Sequence, residues 1–155
     1  MTTTISFVLE EEIKKAFEQA DQYETRPAFI LSLLSLKPIE GLLFKKYKIW
    51  TGDGRLKFPP MAVIRSMLLK ELKGISSCQQ LIAYLYANPE EGRLLGFGRF
   101  LPSCQTYSVM KRERIDAEIE WLMDFVVDKI QRFVDENGRY LDIDFIPASS
   151  RRGNS

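Results

Sequence analysis

The chain has 155 residues, of which 45% are hydrophobic and 12% aromatic, so it can bury a core and is excluded by composition from the disordered class. It has two cysteines, Cys78 and Cys104, and no histidine. That excludes a disulfide framework, His-based zinc sites and Ser–His–Asp triads, and leaves carboxylates and a hard cation such as Mg²⁺ as the available metal chemistry. The formal net charge of +1 hides an uneven spread: residues 1–44 sum to −3, residues 45–115 to +8 and residues 116–155 to −4, a basic middle that suits an anionic partner.

The N-terminal segment MTTTISFVLEEE lacks a basic n-region and turns acidic at Glu10, which does not suit a signal peptide. Phe7, Val8, Ile13, Ala16, Phe17 and Ala20 fall at helical spacing, which predicts an amphipathic helix over roughly residues 6–20. Pro27 can open a second helix running to about Leu36. Its apolar run, Ala28 to Leu36, is about half of the ~18 residues that span a bilayer and carries Ser32 and Ser35. The expectation is a soluble, cytoplasmic protein with no membrane partner. Pro38, Gly41 and the run Thr51 to Gly54 read as punctuation around a short basic stretch, with a loop near 51–58.

Pro59-Pro60 opens the next helix, with Met61, Ile64, Leu68 and Leu72 as its core stripe and Gly74 as its stop. Ser77 followed by Gln80 has capping-box spacing and opens a helix through about Ala87. Asn88, Pro89, Glu90 and Glu91 combine a cap, a first-turn proline and two first-turn carboxylates, and Gly96 ends that short helix. Ser103 caps a third. From Ile115 the apolar positions Ile119, Leu122, Val126, Ile130 and Phe133 define a long amphipathic helix broken by Asn137-Gly138. Leu141, Ile143 and Phe145 then alternate with Asp142 and Asp144, the period of a half-buried β-strand.

Two features carry candidate chemistry. The three short helices at 77–87, 89–95 and 103–114 match a small trihelical unit of the helix-turn-helix kind, although the connection from Gly96 to Pro102 is longer than the usual ~3–4 residues. The third helix would read DNA. Ser103, Gln105, Thr106 and Ser108 suit base edges or phosphates, and Lys111, Arg112 and Arg114 suit phosphates. A plain solvated face has the same composition. The second feature is the pair Asp142 and Asp144 on one strand face, which suits either Mg²⁺ or a charged, protected edge.

The run from Pro59 to Arg114 resembles the helical N-terminal domain of insertion-sequence DDE transposases. The resemblance rests on Pro59-Pro60, LLKELKGISS, Asn88-Pro89, LLGF at Leu94 to Phe97, Pro102-Ser103 and the KRER end, in that order. It implies that a long helix leads into an RNase H-like domain whose first strand carries the first Asp of a catalytic triad, in a pattern like D-x-x-x-I-x-A. Asp142, Ile146 and Ala148 fit that spacing and would make Asp142 the first metal ligand. Where the family often has Ser and Thr after that Asp, this chain has Ile143 and Asp144, so Asp144 is the alternative ligand. The second Asp and the Glu of the triad would lie beyond Ser155.

The expected architecture is therefore mainly α: a multi-helix bundle containing a helix-turn-helix-like trihelical unit, ending in a single β-strand of a truncated RNase H-like domain. Residues 1–136 would form the helical DNA-binding domain, and residues 137–155 the first strand and tail of an incomplete catalytic domain. The expected function is binding of double-stranded DNA at element ends for transposition, without catalysis by this chain alone. No cofactor is expected for this fragment, and Mg²⁺ is implied for full-length family members. A homodimer or a full-length transposase is the expected protein partner. The alternative is a helical protein–protein or dimerisation module, working through the Ile115–Phe133 stripe without DNA.

Overall fold

The computed structural model describes residues 2–20, 26–47 and 58–137. These form eight helices: α1 (Thr2–Ala20), α2 (Pro27–Ser32), α3 (Lys37–Tyr47), α4 (Pro60–Lys73), α5 (Cys78–Ala87), α6 (Pro89–Leu95), α7 (Cys104–Glu113) and α8 (Ala117–Asn137). The expected strand, with Asp142 and Asp144, lies outside the described residues. Among the described residues, no helix is long and apolar enough to cross a membrane.

The helix α8 organises the bundle, packing against α1, α3 and α4. Its residues Ile119, Leu122, Val126 and Ile130 are fully buried. Phe133, half-buried, stacks on Phe17 of α1 with ring centroids 4.2 Å apart, a geometry that adds to the area both rings remove from water. The apolar stripe offered above as a dimerisation surface is thus used inside the chain. Burying each such aliphatic side chain stabilises by roughly 1.5–3 kcal/mol.

Helix ends follow local chemistry in most places. Pro59 precedes α4 in extended conformation, and Gly74 ends α4 at φ 68°, the left-handed position that closes many helices. The hydroxyl of Ser77 accepts the Gln80 N–H at 3.1 Å. The return bond of this capping box shifts by one residue, because Gln80 Oε1 accepts from the N–H of Ser76 at 3.2 Å.

Other local expectations were displaced. Asn88 makes no side-chain cap on α6. Its Nδ2 donates instead to the Tyr84 carbonyl at 2.9 Å and closes α5. Ser103 likewise makes no side-chain cap bond on α7. Asp116 caps α8, its carboxylate accepting the Ile119 N–H at 2.9 Å.

The chain from Lys37 to Tyr47, which includes Pro38 and Gly41, is helical. Pro38 sits in the first turn of α3, where its missing N–H costs nothing. Leu36, just before, adopts φ 55°, an uncommon conformation for a residue with a side chain. Glu12 of α1 holds it there, accepting the Leu36 N–H at 2.9 Å and the Ser35 hydroxyl at 3.2 Å, while the Leu36 side chain is fully buried.

Candidate nucleic-acid interface

Helix α7 has two faces. Tyr107 and Met110 are buried, and the Tyr107 phenol lies 2.7 Å from the Ser66 hydroxyl of α4. Ser66 in turn donates to the Val63 carbonyl at 2.8 Å. At the N-terminal ends of α5 and α7, Cys78 and Cys104 are free, half-buried thiols. Burial, with a hydrogen bond to Cys104, pushes the Cys78 thiol up to about 12. Helix α5 thus meets α7 near this pair and also packs against α6.

The opposite face of α7 carries the predicted readers. Ser103, Gln105, Ser108, Lys111 and Arg112 are exposed, whereas Thr106 and Arg114 are half-buried. Gln105, Ser108 and Arg112 stand at positions i, i+3 and i+7, one stripe opposite Tyr107 and Met110. Ser108 and Lys111 also border a cleft of about 290 Å³ between α4, α5, α7 and α8, with Leu68, Leu81, Met123 and Val127 among its lining. Lys111 therefore sits on the flank of the stripe. Lys111 and Arg112 lie in the last turn of α7, where cations also complement the helix dipole.

Not every cation of the basic middle is left open to an outside partner. Lys46 pairs with Asp116 at 2.9 Å and also with Glu118 at the start of α8, and these two hydrogen bonds hold its ammonium well above the ordinary lysine range. Arg65 is half-buried in α4, and its guanidinium donates to the Leu34 carbonyl at 2.8 Å. Burial lowers its pKa, opposed by Glu40 and Glu12. Arg93 of α6 and Arg99 in the loop before α7 are exposed and were not among the predicted contact residues. Their signal in the sequence was the same basic middle, read there for α7 alone.

The acidic start of α6 has a structural use beyond its helix dipole. Glu91 is buried, and both its carboxylate oxygens accept from the Tyr84 phenol at 2.8 Å. Arg26, at the N-cap of α2, reaches Glu90 at 3.0 Å and Glu91 at 3.7 Å. This fastens α6 to α2, its principal neighbour. Helix α6 is therefore seated on the rest of the bundle through α2 and α4.

Among the described residues no group of three or more His, Cys, Asp or Glu side chains could hold a metal ion. Asp142 and Asp144 lie outside the described residues.

A family model for a transposase domain (DUF772) matches residues 11–114. The match starts inside α1 and ends at the cap of α7, so it contains α5, α6 and α7 and stops before α8. No curated protein and no solved structure matches the chain. With two-thirds of its residues under the family model, this chain belongs to the transposase domain family (DUF772).

Proposed function

We propose that this chain is the DNA-binding portion of an insertion-sequence transposase, with α5, α6 and α7 acting as a helix-turn-helix-like unit and α7 as its reader. The observation that carries the reading is the division of α7: Tyr107 and Met110 are buried against the bundle, while Gln105, Ser108 and Arg112 form an exposed polar stripe. A reader helix needs both, because base-edge contacts specify only when the helix is rigidly held. In this reading Ser103, Gln105, Thr106 and Ser108 address base edges or nearby phosphates, and Lys111, Arg112 and Arg114 address phosphates. The partner is double-stranded DNA at element ends.

The reading covers recognition and no catalytic step. The Mg²⁺ chemistry of the family would require Asp142 or Asp144 and further carboxylates, and the described residues supply no such group.

Fluorescence anisotropy of the full chain with a random-sequence duplex, across a salt series, tests the reading. Phosphate contacts predict a log–log slope of about −0.9 per contact. The double variant Lys111→Ala/Arg112→Ala should flatten that slope by roughly two contacts. A slope unchanged by the double variant removes both residues from the contact surface.

The runner-up is a protein-interaction module. It no longer draws on the buried α8 stripe. What favours it is the other side of α8, where Trp121 is 48% exposed and stacks on Phe125 at 5.6 Å. Sedimentation of wild type and Trp121→Ala over a concentration series separates the two readings. Self-association abolished by the variant, without DNA binding, supports the module.

A further inference from the structure

The loop between α6 and α7 is pinned at both ends and bare in the middle. At its start Gly96 takes φ +113°, and a Cβ there would meet the Ala62 Cβ at 3.3 Å. Phe97 follows, buried and packed edge-on against Phe58 at 6.3 Å between centroids. At its end Leu101 is half-buried against Gly92, and Pro102 is buried. Between these anchors Gly98, Arg99 and Phe100 are all exposed. Phe100 is 70% exposed, the highest value among the large hydrophobic side chains left outside the core in the described residues. The Arg99 guanidinium lies 5.7 Å from its ring centroid.

An anchored loop that holds an aromatic ring in water pays hydration for something other than the core. The ring stands three residues before Ser103, so it is displaced along the chain just ahead of the proposed reader helix. The Arg99 guanidinium beside it and the exposed polar stripe of α7 that follows in the chain favour an anionic partner over an apolar one. Apolar side chains flanked by arginine are the wedges with which proteins unstack base steps and bend a duplex.

We propose that Phe100 is such a wedge: it inserts at a base step of duplex DNA beside the α7 docking site, while Arg99 holds the adjacent phosphate. This rests on the DNA-binding reading above. Insertion costs base unstacking, and that cost is smallest where a step is already weakened.

The test compares a paired random-sequence 30-bp duplex with the same duplex carrying one central T·T mismatch, both titrated with the full chain at low salt. Wild type should bind the mismatched duplex about tenfold more tightly, the scale of one base–aromatic stack. Phe100→Ala should abolish that ratio, and Phe100→Trp should keep it. Because the ring is exposed, both variants should retain the wild-type helical spectrum, which circular dichroism checks. Lys111→Ala/Arg112→Ala should weaken both complexes equally and leave the ratio unchanged. A wild-type ratio near one, or a ratio that survives Phe100→Ala, overturns the wedge while leaving DNA binding in place. No binding to either duplex by folded protein overturns the DNA reading and the wedge with it.

Discussion

The phenol of Tyr107 lies 2.7 Å from the hydroxyl of Ser66, joining the proposed reader helix to α4 at a buried point. Ser66 donates onward to Val63, so the proton order runs from Tyr107 to Ser66 to the backbone. Ser66→Ala leaves the phenol without this acceptor and should cost about 2 kcal/mol, whereas Tyr107→Phe removes the donor and should cost about 1 kcal/mol. Urea unfolding of both variants checks the order. A larger loss for Tyr107→Phe would contradict it.

The same phenol predicts a response to alkali. Burial pushes Tyr107 up to about 12 from an ordinary 10. The folded state favours the neutral phenol. Its contribution is therefore complete below pH 10 and is lost as pH rises through 12. Thermal melts of wild type and Tyr107→Phe should show the wild type losing stability relative to the variant between pH 10 and 12. A difference constant across that window would contradict the assignment.

Glu91 is the buried fastening between α2, α5 and α6. Glu91→Ala removes the carboxylate that accepts from the Tyr84 phenol and the buried partner of Arg26, and should cost about 2 kcal/mol. Glu91→Gln keeps an acceptor for Tyr84 and should cost roughly half as much. Denaturant midpoints decide it, and equal losses would show that charge matters more than the hydrogen bond.

Gly96 and Gly98 form a natural control pair two residues apart. Gly96→Ala combines a positive φ with a 3.3 Å approach to Ala62, and should cost about 2 kcal/mol. A Cβ at Gly98 meets nothing within 4 Å, so Gly98→Ala should change stability by less than about 0.5 kcal/mol. Paired thermal melts test this, and similar losses at both sites would contradict the account of a loop pinned at Gly96.

The features legible in the sequence were those decided locally. Pro59-Pro60 and Gly74 bound α4, and the three- and four-residue spacing from Ile119 to Ile130 defined the buried face of α8. What escaped depended on residues distant in the chain. The turn into α3 relies on Glu12 holding Leu36 across 24 positions, which local propensity around Pro38 and Gly41 does not reveal. The basic middle overstated the outward charge, because Lys46 is matched by Asp116 and Glu118, about 70 residues later, and Arg65 is directed to Leu34. Asn88 had two helix ends within reach, and its side chain closed α5 instead of opening α6. On α7 the alternation of exposed Gln105, Ser108 and Arg112 with buried Tyr107 and Met110 follows helical period, while Arg99 and Phe100 lie in a loop where periodicity carries no information.

The claim that the outer face of α7 meets DNA is tested most directly by amide chemical-shift mapping of the full chain during titration with a random-sequence duplex at low salt. The account predicts the largest perturbations from Gly98 to Arg112, with the buried half of α8 nearly unmoved. Perturbations centred on Trp121 and Phe125, or none in α7, would contradict it.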